Sequence, residues 1–175
     1  ISRAYFNAKT SEDDPTYVAL PKEFGNHPGM CGLLRRHMYG TRRAAEGWQD
    51  EYSDKMIQAG FVQGLASPCV FHHPSRGVVC SVHGDDFTAE GGKPDIDWYE
   101  KMVQTYYDIT IVPRMGPGPD DAKEGRALNR VIRWLDGSIE YEAVPRQAER
   151  LITECGLGGS KSVATPGVKA TFTEL

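Results

Sequence analysis

The sequence has no run of 18 apolar residues, no secretory leader pattern, no CxxC pair, no internal repeat and no low-complexity tract. Each absence removes a class of protein. Without a long apolar run there is no signal for a membrane-crossing helix. Without a leader pattern the expected setting is intracellular, with no membrane partner. The four cysteines, Cys31, Cys69, Cys80 and Cys155, are widely spaced. They read as free thiols in a reducing compartment. A basic excess is missing too: the net charge is −4. That argues against an autonomous nucleic-acid binder, although a polymerase palm, with acids at its centre, is a partial exception.

What is present is enough for a folded domain. The chain has 175 residues and is 39% hydrophobic, so it is globular rather than disordered. The most informative stretch is Val78-Val79-Cys80-Ser81-Val82-His83-Gly84-Asp85-Asp86-Phe87-Thr88-Ala89. Two short apolar, β-branched runs flank a Gly and two acids, the pattern of a β-hairpin with carboxylates at its turn. Adjacent like charges repel. A divalent cation relieves the repulsion, because Mg²⁺ takes a few carboxylate oxygens together with substrate phosphates. The plain alternative is a solvated acidic turn, since Gly-Asp and Asp-Asp are common there.

Periodicity supplies the rest of the outline. Residues 16–20 form a short strand. Residues 44–59 form a helix with Ala45, Trp48, Tyr52 and Met56 on one face and Gly60 at its C-terminal cap. Residues 69–72 and 78–83 are strands joined through Pro74-Ser75-Arg76-Gly77, and 87–90 returns from the acids. A second helix runs from Pro94 to about Tyr107, with Ile96, Tyr99, Val103 and Tyr106 inward. Residues 108–112 suggest a strand. The Gly/Pro-rich loop 115–121 marks a flexible candidate boundary. Asp136-Gly137 turns a hairpin whose second arm alternates Ile139, Tyr141 and Ala143 with polar residues, giving one buried face. Residues 145–155 form a last helix, with Ala148, Leu151, Ile152 and Cys155 in line. Residues 1–7 read as the tail of a core strand turning into a helix or loop, with Phe6 in the core. Strands and helices mix without strict alternation, which favours an α+β fold with helices on one side of an antiparallel sheet.

Five pieces stand in order: Met38-Tyr39-Gly40-Thr41-Arg42-Arg43-Ala44-Ala45-Glu46-Gly47-Trp48; Gly60-Phe61; Ser67-Pro68-Cys69-Val70-Phe71; His83-Gly84-Asp85-Asp86; and Ser160-Lys161-Ser162-Val163-Ala164-Thr165-Pro166. This order resembles the reverse transcriptase of copia-type LTR retrotransposons, over nearly the whole chain. The resemblance implies a polymerase palm over residues 1–113 and part of a thumb or connection over 114–175. It implies RNA-directed DNA synthesis by two-metal transfer from dNTPs to a primer 3′-hydroxyl. Asp85 and Asp86 would be the catalytic ligands of Mg²⁺ or Mn²⁺. A third carboxylate would stand immediately before Ile1. Tyr5 would pack beneath the sugar and exclude a 2′-hydroxyl. Tyr39, Gly40 and Arg42 would line the nucleotide site. The implied partners are an RNA template, a DNA primer–template duplex and the integrase and RNase H parts of a Pol polyprotein, in a cytoplasmic particle or the nucleus.

The chain departs from that family at several positions. Thr41, Arg43 and Ala45 stand where it has Leu, Gln and Pro, and His83-Gly84 stands where it has Tyr-Val. Gly84-Asp85-Asp86 also resembles the RNA polymerases of positive-strand RNA viruses. A catalytically inactive, nucleic-acid-binding remnant of the same fold is the non-enzymatic alternative. Cys69, His72, Cys80 and His83 have nominal zinc spacing. Residues three apart on a strand point to opposite faces, so each pair would be split. His72 and His73 are expected at the surface. Asp13, Asp14, Asp120 and Asp121 are expected to be loop acids without metal.

Overall fold

The structure is a computed structural model that describes residues 1–25, 27–142 and 145–161. Val163 to Pro166 of the last motif, its Ser162 and Ala143 lie outside the described residues. The chain divides into two compact units, with the break between Val112 and Pro113. None of the described helices is long and apolar enough to cross a membrane.

The first unit is mixed α and β. It opens with a 3₁₀ turn, Ala4–Asn7, followed by the small antiparallel pair β1 (Tyr17–Ala19) and β2 (Cys31–Leu33). Helix α1 (Ala44–Gln58) leads into an antiparallel meander of β3 (Val62–Gln63), β4 (Val70–His73), β5 (Val78–His83) and β6 (Asp86–Glu90). Helix α2 (Lys93–Tyr106) follows, with Pro94 and Asp95 in its first turn, where a missing N–H and a negative charge are both favourable.

The core lies between one face of the meander and the two helices. Val78, Cys80 and Val82 alternate inward along β5 beside Phe71 of β4. Trp48, Tyr52 and Met56 come from α1, and Tyr99 and Val103 from α2. Ser81, His83, Asp86, Thr88 and Glu90 form the opposite, exposed face. One buried face and one wet face is the arrangement that period-two alternation encodes.

Several expectations need correcting. Ala44, not Ala45, completes the α1 stripe: Ala44 is buried and Ala45 exposed. Two adjacent alanines carry no pattern to choose between them. Tyr107, not Tyr106, closes the α2 stripe. The helix ends at Tyr106, and the extended backbone of Tyr107 swings its ring to 5.1 Å from Trp48. Residues 1–3 and 108–112 are not strands. Ser2 N–H donates to the Asp108 carbonyl at 2.9 Å, but the chain then winds into the 3₁₀ turn, so no ladder can propagate. Phe6 is 42% exposed, because that turn points Ala4 inward instead. His73 is buried, packed edge-on to Phe61 and Trp98.

The second unit holds the antiparallel sheet β7 (Glu124–Ala127), β8 (Arg130–Leu135) and β9 (Ser138–Tyr141), and helix α3 (Pro145–Glu154). Gly137, at φ +74°, makes the expected hairpin turn. The expected burial is absent: Ile139 and Tyr141 are exposed, and so are Ala148, Leu151, Ile152 and Cys155 along α3 and just past its end. The loop at 115–121 is tied rather than loose. Asp121 accepts from Gly118 N–H at 2.8 Å, and Lys123 Nζ donates to the carbonyls of Gly116 and Gly118.

Candidate functional site

Gly84 and Asp85 form a two-residue loop between β5 and β6. Gly84 has φ +63° and Asp85 is not in the left-handed region. Glycine at the first central position fits a type II′ turn, whose twist suits a two-residue hairpin. His83 and Asp86 face each other across the last rung of the ladder. Asp85 therefore sits on the loop and Asp86 opens β6, both exposed.

The loop is held from outside the hairpin at two consecutive carbonyls. Trp48 Nε1 donates to the Gly84 oxygen at 2.8 Å. The nitrogen of Ile1 donates to the Asp85 oxygen at 2.6 Å. Buried Trp48 thus does more than anchor α1 to the sheet, because it also fixes the height of the acidic turn. Such a bond contributes about 0.5–1.5 kcal/mol net.

Tyr5 is brought to the same place. It lines an open cavity of about 160 Å³ together with Trp48, Tyr52, Cys69, His83 and Gly84. Its ring lies 4.4 Å from that of Tyr39, tilted by 41°, and Phe6 meets Tyr39 edge-on at 5.8 Å. Tyr39 stands on a tight turn. Gly40 has φ +85°, and the Thr41 N–H and hydroxyl both donate to the Met38 carbonyl, at 3.1 and 2.8 Å. Arg36 staples this segment to the 3₁₀ turn by donating to the carbonyls of Phe6 and Asn7 at 3.3 and 2.7 Å.

Tyr5 thus lies beside the turn that carries Asp85 and Asp86, and Tyr39 lies against Tyr5, with Gly40 next to it in sequence. Arg42 is exposed and makes no ion pair or hydrogen bond with them among the described residues. Arg43 is engaged elsewhere, by Asp14 at 2.9 Å and Glu46 at 3.3 Å.

Hard carboxylate oxygens suit Mg²⁺ or Mn²⁺, and exposure lets such an ion keep its waters. Asp85 and Asp86 present such oxygens to solvent. Among the described residues, no group of three or more His, Cys, Asp or Glu is placed to hold a metal. The zinc-spaced set is divided, with Cys80 buried and Cys69, His72 and His83 exposed.

Beneath the site the titratable groups are held neutral. Burial pushes the Cys80 thiol up to about 11, against a downward pull from its 3.0 Å hydrogen bond with Tyr99. Burial, reinforced by Cys69, pushes the Tyr52 hydroxyl up to about 12. Burial likewise raises Tyr99, with Cys80 adding to it. Cys80 is therefore a packed thiol and not a nucleophile.

Sequence reasoning passed over Trp48 as a support of the turn, and Arg36 altogether. One signal was available. Gly47 sits inside α1, where glycine is unfavourable, and interior glycines mark close approach. A Cβ at that position would overlap the ring of buried His37, a residue whose backbone N–H donates to the Ala8 carbonyl at 2.9 Å. No protein-family model matches the chain, and no curated protein or solved structure is detectably similar to it.

Proposed function

We propose that this chain is the palm and part of the thumb of a copia-type reverse transcriptase, acting on an RNA template, a DNA primer–template duplex and dNTPs. One observation carries the reading. The Ile1 nitrogen lies 2.6 Å from the Asp85 carbonyl. Tyr5, the residue the resemblance makes the sugar gate, lines one cavity with His83 and Gly84, so the opening segment and the acidic turn are neighbours as the family arrangement requires.

In this reading Asp85 and Asp86 would hold Mg²⁺ or Mn²⁺, which would supply charge stabilisation for phosphoryl transfer. Tyr5 occupies the space a ribose 2′-hydroxyl would need. Tyr39 and Gly40 shape the wall behind it, and the exposed Arg42 guanidinium meets phosphate oxygens. The rest of the polyprotein, with integrase and RNase H, and its particle or nuclear setting belong to the same proposal.

A second reading, a nucleic-acid-binding remnant without catalysis, is favoured by a different feature. Arg3, Lys9, Arg35, Arg36 and Arg42 lie in residues 1–11 and 31–42, which contain no acid, whereas Arg43 is paired with Asp14 and Glu46. The two segments also expose Phe6 and Tyr39. Cations around exposed rings suit single-stranded nucleic acid.

Primer extension with Mg²⁺ or Mn²⁺, by a longer polypeptide in which this chain is joined to the rest of the proposed Pol polyprotein, separates the two. Template-dependent addition of dNTPs supports the polymerase. Tight binding of primer–template with no addition in either metal supports the remnant, and failure to bind rejects both.

A further inference from the structure

We infer that Tyr39 is the positioning residue of the sugar gate: its ring braces Tyr5 and so sets how strongly a 2′-hydroxyl is refused. The inference rests on the polymerase reading of Tyr5 and adds a specificity determinant to it.

A steric gate works only if the blocking ring cannot yield. Tyr5 sits on a single 3₁₀ turn, which by itself gives a side chain little support. Its backbone is held by Asn7 and Arg36, which donate to carbonyls of residues 3–7, and one side of the Tyr5 ring packs on the core, while Phe6 beside it is exposed. What restrains the Tyr5 ring on its outer side is Tyr39, at 4.4 Å between centroids. Tyr39 is itself held. Phe6 contacts its edge, the Met38–Thr41 hydrogen bonds close its turn, and Arg36 fastens its segment to the carbonyls of Phe6 and Asn7. A brace and the ring it supports are thus built into one cross-linked patch. Tyr39 is half exposed, so core packing does not account for an aromatic there. Gly40 is part of the device. At φ +85° it permits the turn that aims Tyr39 at Tyr5, and an added Cβ would meet no other group within 4 Å. Substitution at Gly40 therefore disturbs the aim of the brace through the backbone and not through a clash.

The test uses the longer polypeptide and compares kcat/KM for a matched dNTP and rNTP on one template. Tyr5→Ala should collapse discrimination. Tyr39→Ala should lower it by roughly tenfold or more, mainly by admitting the rNTP. Tyr39→Phe, which keeps the ring, should restore discrimination to within about twofold of the original, as the brace depends on ring contact. Gly40→Ala should lower discrimination in the same direction as Tyr39→Ala, with a fall of a few degrees in melting temperature from the left-handed backbone strain. A general loss of folding would depress both substrates alike, so the ratio isolates positioning. If Tyr39→Ala keeps the full ratio while Tyr5→Ala loses it, the brace is wrong and the polymerase reading stands. If the unsubstituted protein adds no nucleotide, or does not distinguish the two sugars, the polymerase or gate reading fails and the brace falls with it.

Discussion

The chain contains two antiparallel sheets, and they are finished differently. In the β3–β6 sheet, Val78, Cys80 and Val82 of β5 are buried under α1 and α2. In the β7–β9 sheet, no residue of the strands is fully buried, and Ile139 stays 60% exposed. Both sheets have hairpin turns with left-handed glycine, Gly84 and Gly137. Turn chemistry and strand pairing are therefore local properties that either sheet achieves alone. Burial requires a second layer. The candidate site belongs to the covered sheet, where a rigid core can fix a turn from below through Trp48.

The contrast can be broken by substitution. Trp48→Ala should give the largest effect, about 3–5 kcal/mol of destabilisation from the cavity alone. It also removes the support of the Gly84 carbonyl. Urea unfolding together with hydrogen exchange at the β5 amides would show both losses in the first unit.

Alkali should come next. Cys80 and Tyr52 have folded-state values raised above their ordinary ones, to about 11 and about 12. Their neutral forms are favoured by folding, so the stabilisation is complete below about pH 9 and is lost as pH rises through 11 and 12. For the buried thiol this amounts to about 3 kcal/mol. Circular dichroism against pH should show the first unit loosening above pH 9 and no matching loss in mild acid from these groups.

Gly47→Ala is a smaller and sharper case. Helix propensity alone favours alanine by about 1 kcal/mol. Overlap with the His37 ring opposes it by about 1–3 kcal/mol. A net loss of about 1 kcal/mol in chemical denaturation is expected, and a gain would mean that His37 has room to move. Ile139→Ser in the uncovered sheet should change stability least, by no more than about 0.5 kcal/mol. A large loss there would show that the β9 face is covered in solution.

Much of the first unit was legible in the sequence because its signals are local. The bounds of β5, the turn at Gly84-Asp85 and the course of α1 follow from alternation, glycine placement and helical spacing. The failures are those of context. Alternation in β9 and the α3 stripe predicted burial, but an apolar stripe records only what a face can pack against, not that anything covers it. The strand tail expected at the start of residues 1–7 and the strand expected at 108–112 have apolar residues but no extended partner to pair with, whereas the turn into a helix at Ala4–Asn7 was legible. The misplaced Phe6 and His73 each turn on a neighbour distant in sequence. For the site, the acids and Tyr5 were visible as motif residues. Trp48 donating to Gly84, Arg36 gripping the 3₁₀ turn and Tyr39 against Tyr5 are contacts between residues 29 to 36 positions apart or at an equal remove, and no local pattern encodes them.

The most direct test of the polymerase reading is single-nucleotide incorporation by the longer polypeptide carrying Asp85→Asn, beside the unsubstituted protein, in Mg²⁺ and in Mn²⁺. The substitution keeps the size of the side chain and the exposed turn, and removes one charge from the pair. Electrostatic stabilisation is the main catalytic contribution in such a site, so the rate should fall by about a hundredfold or more with primer–template binding unchanged. Incorporation at close to the original rate would contradict the assignment of Asp85 as a metal ligand, and with it the central claim.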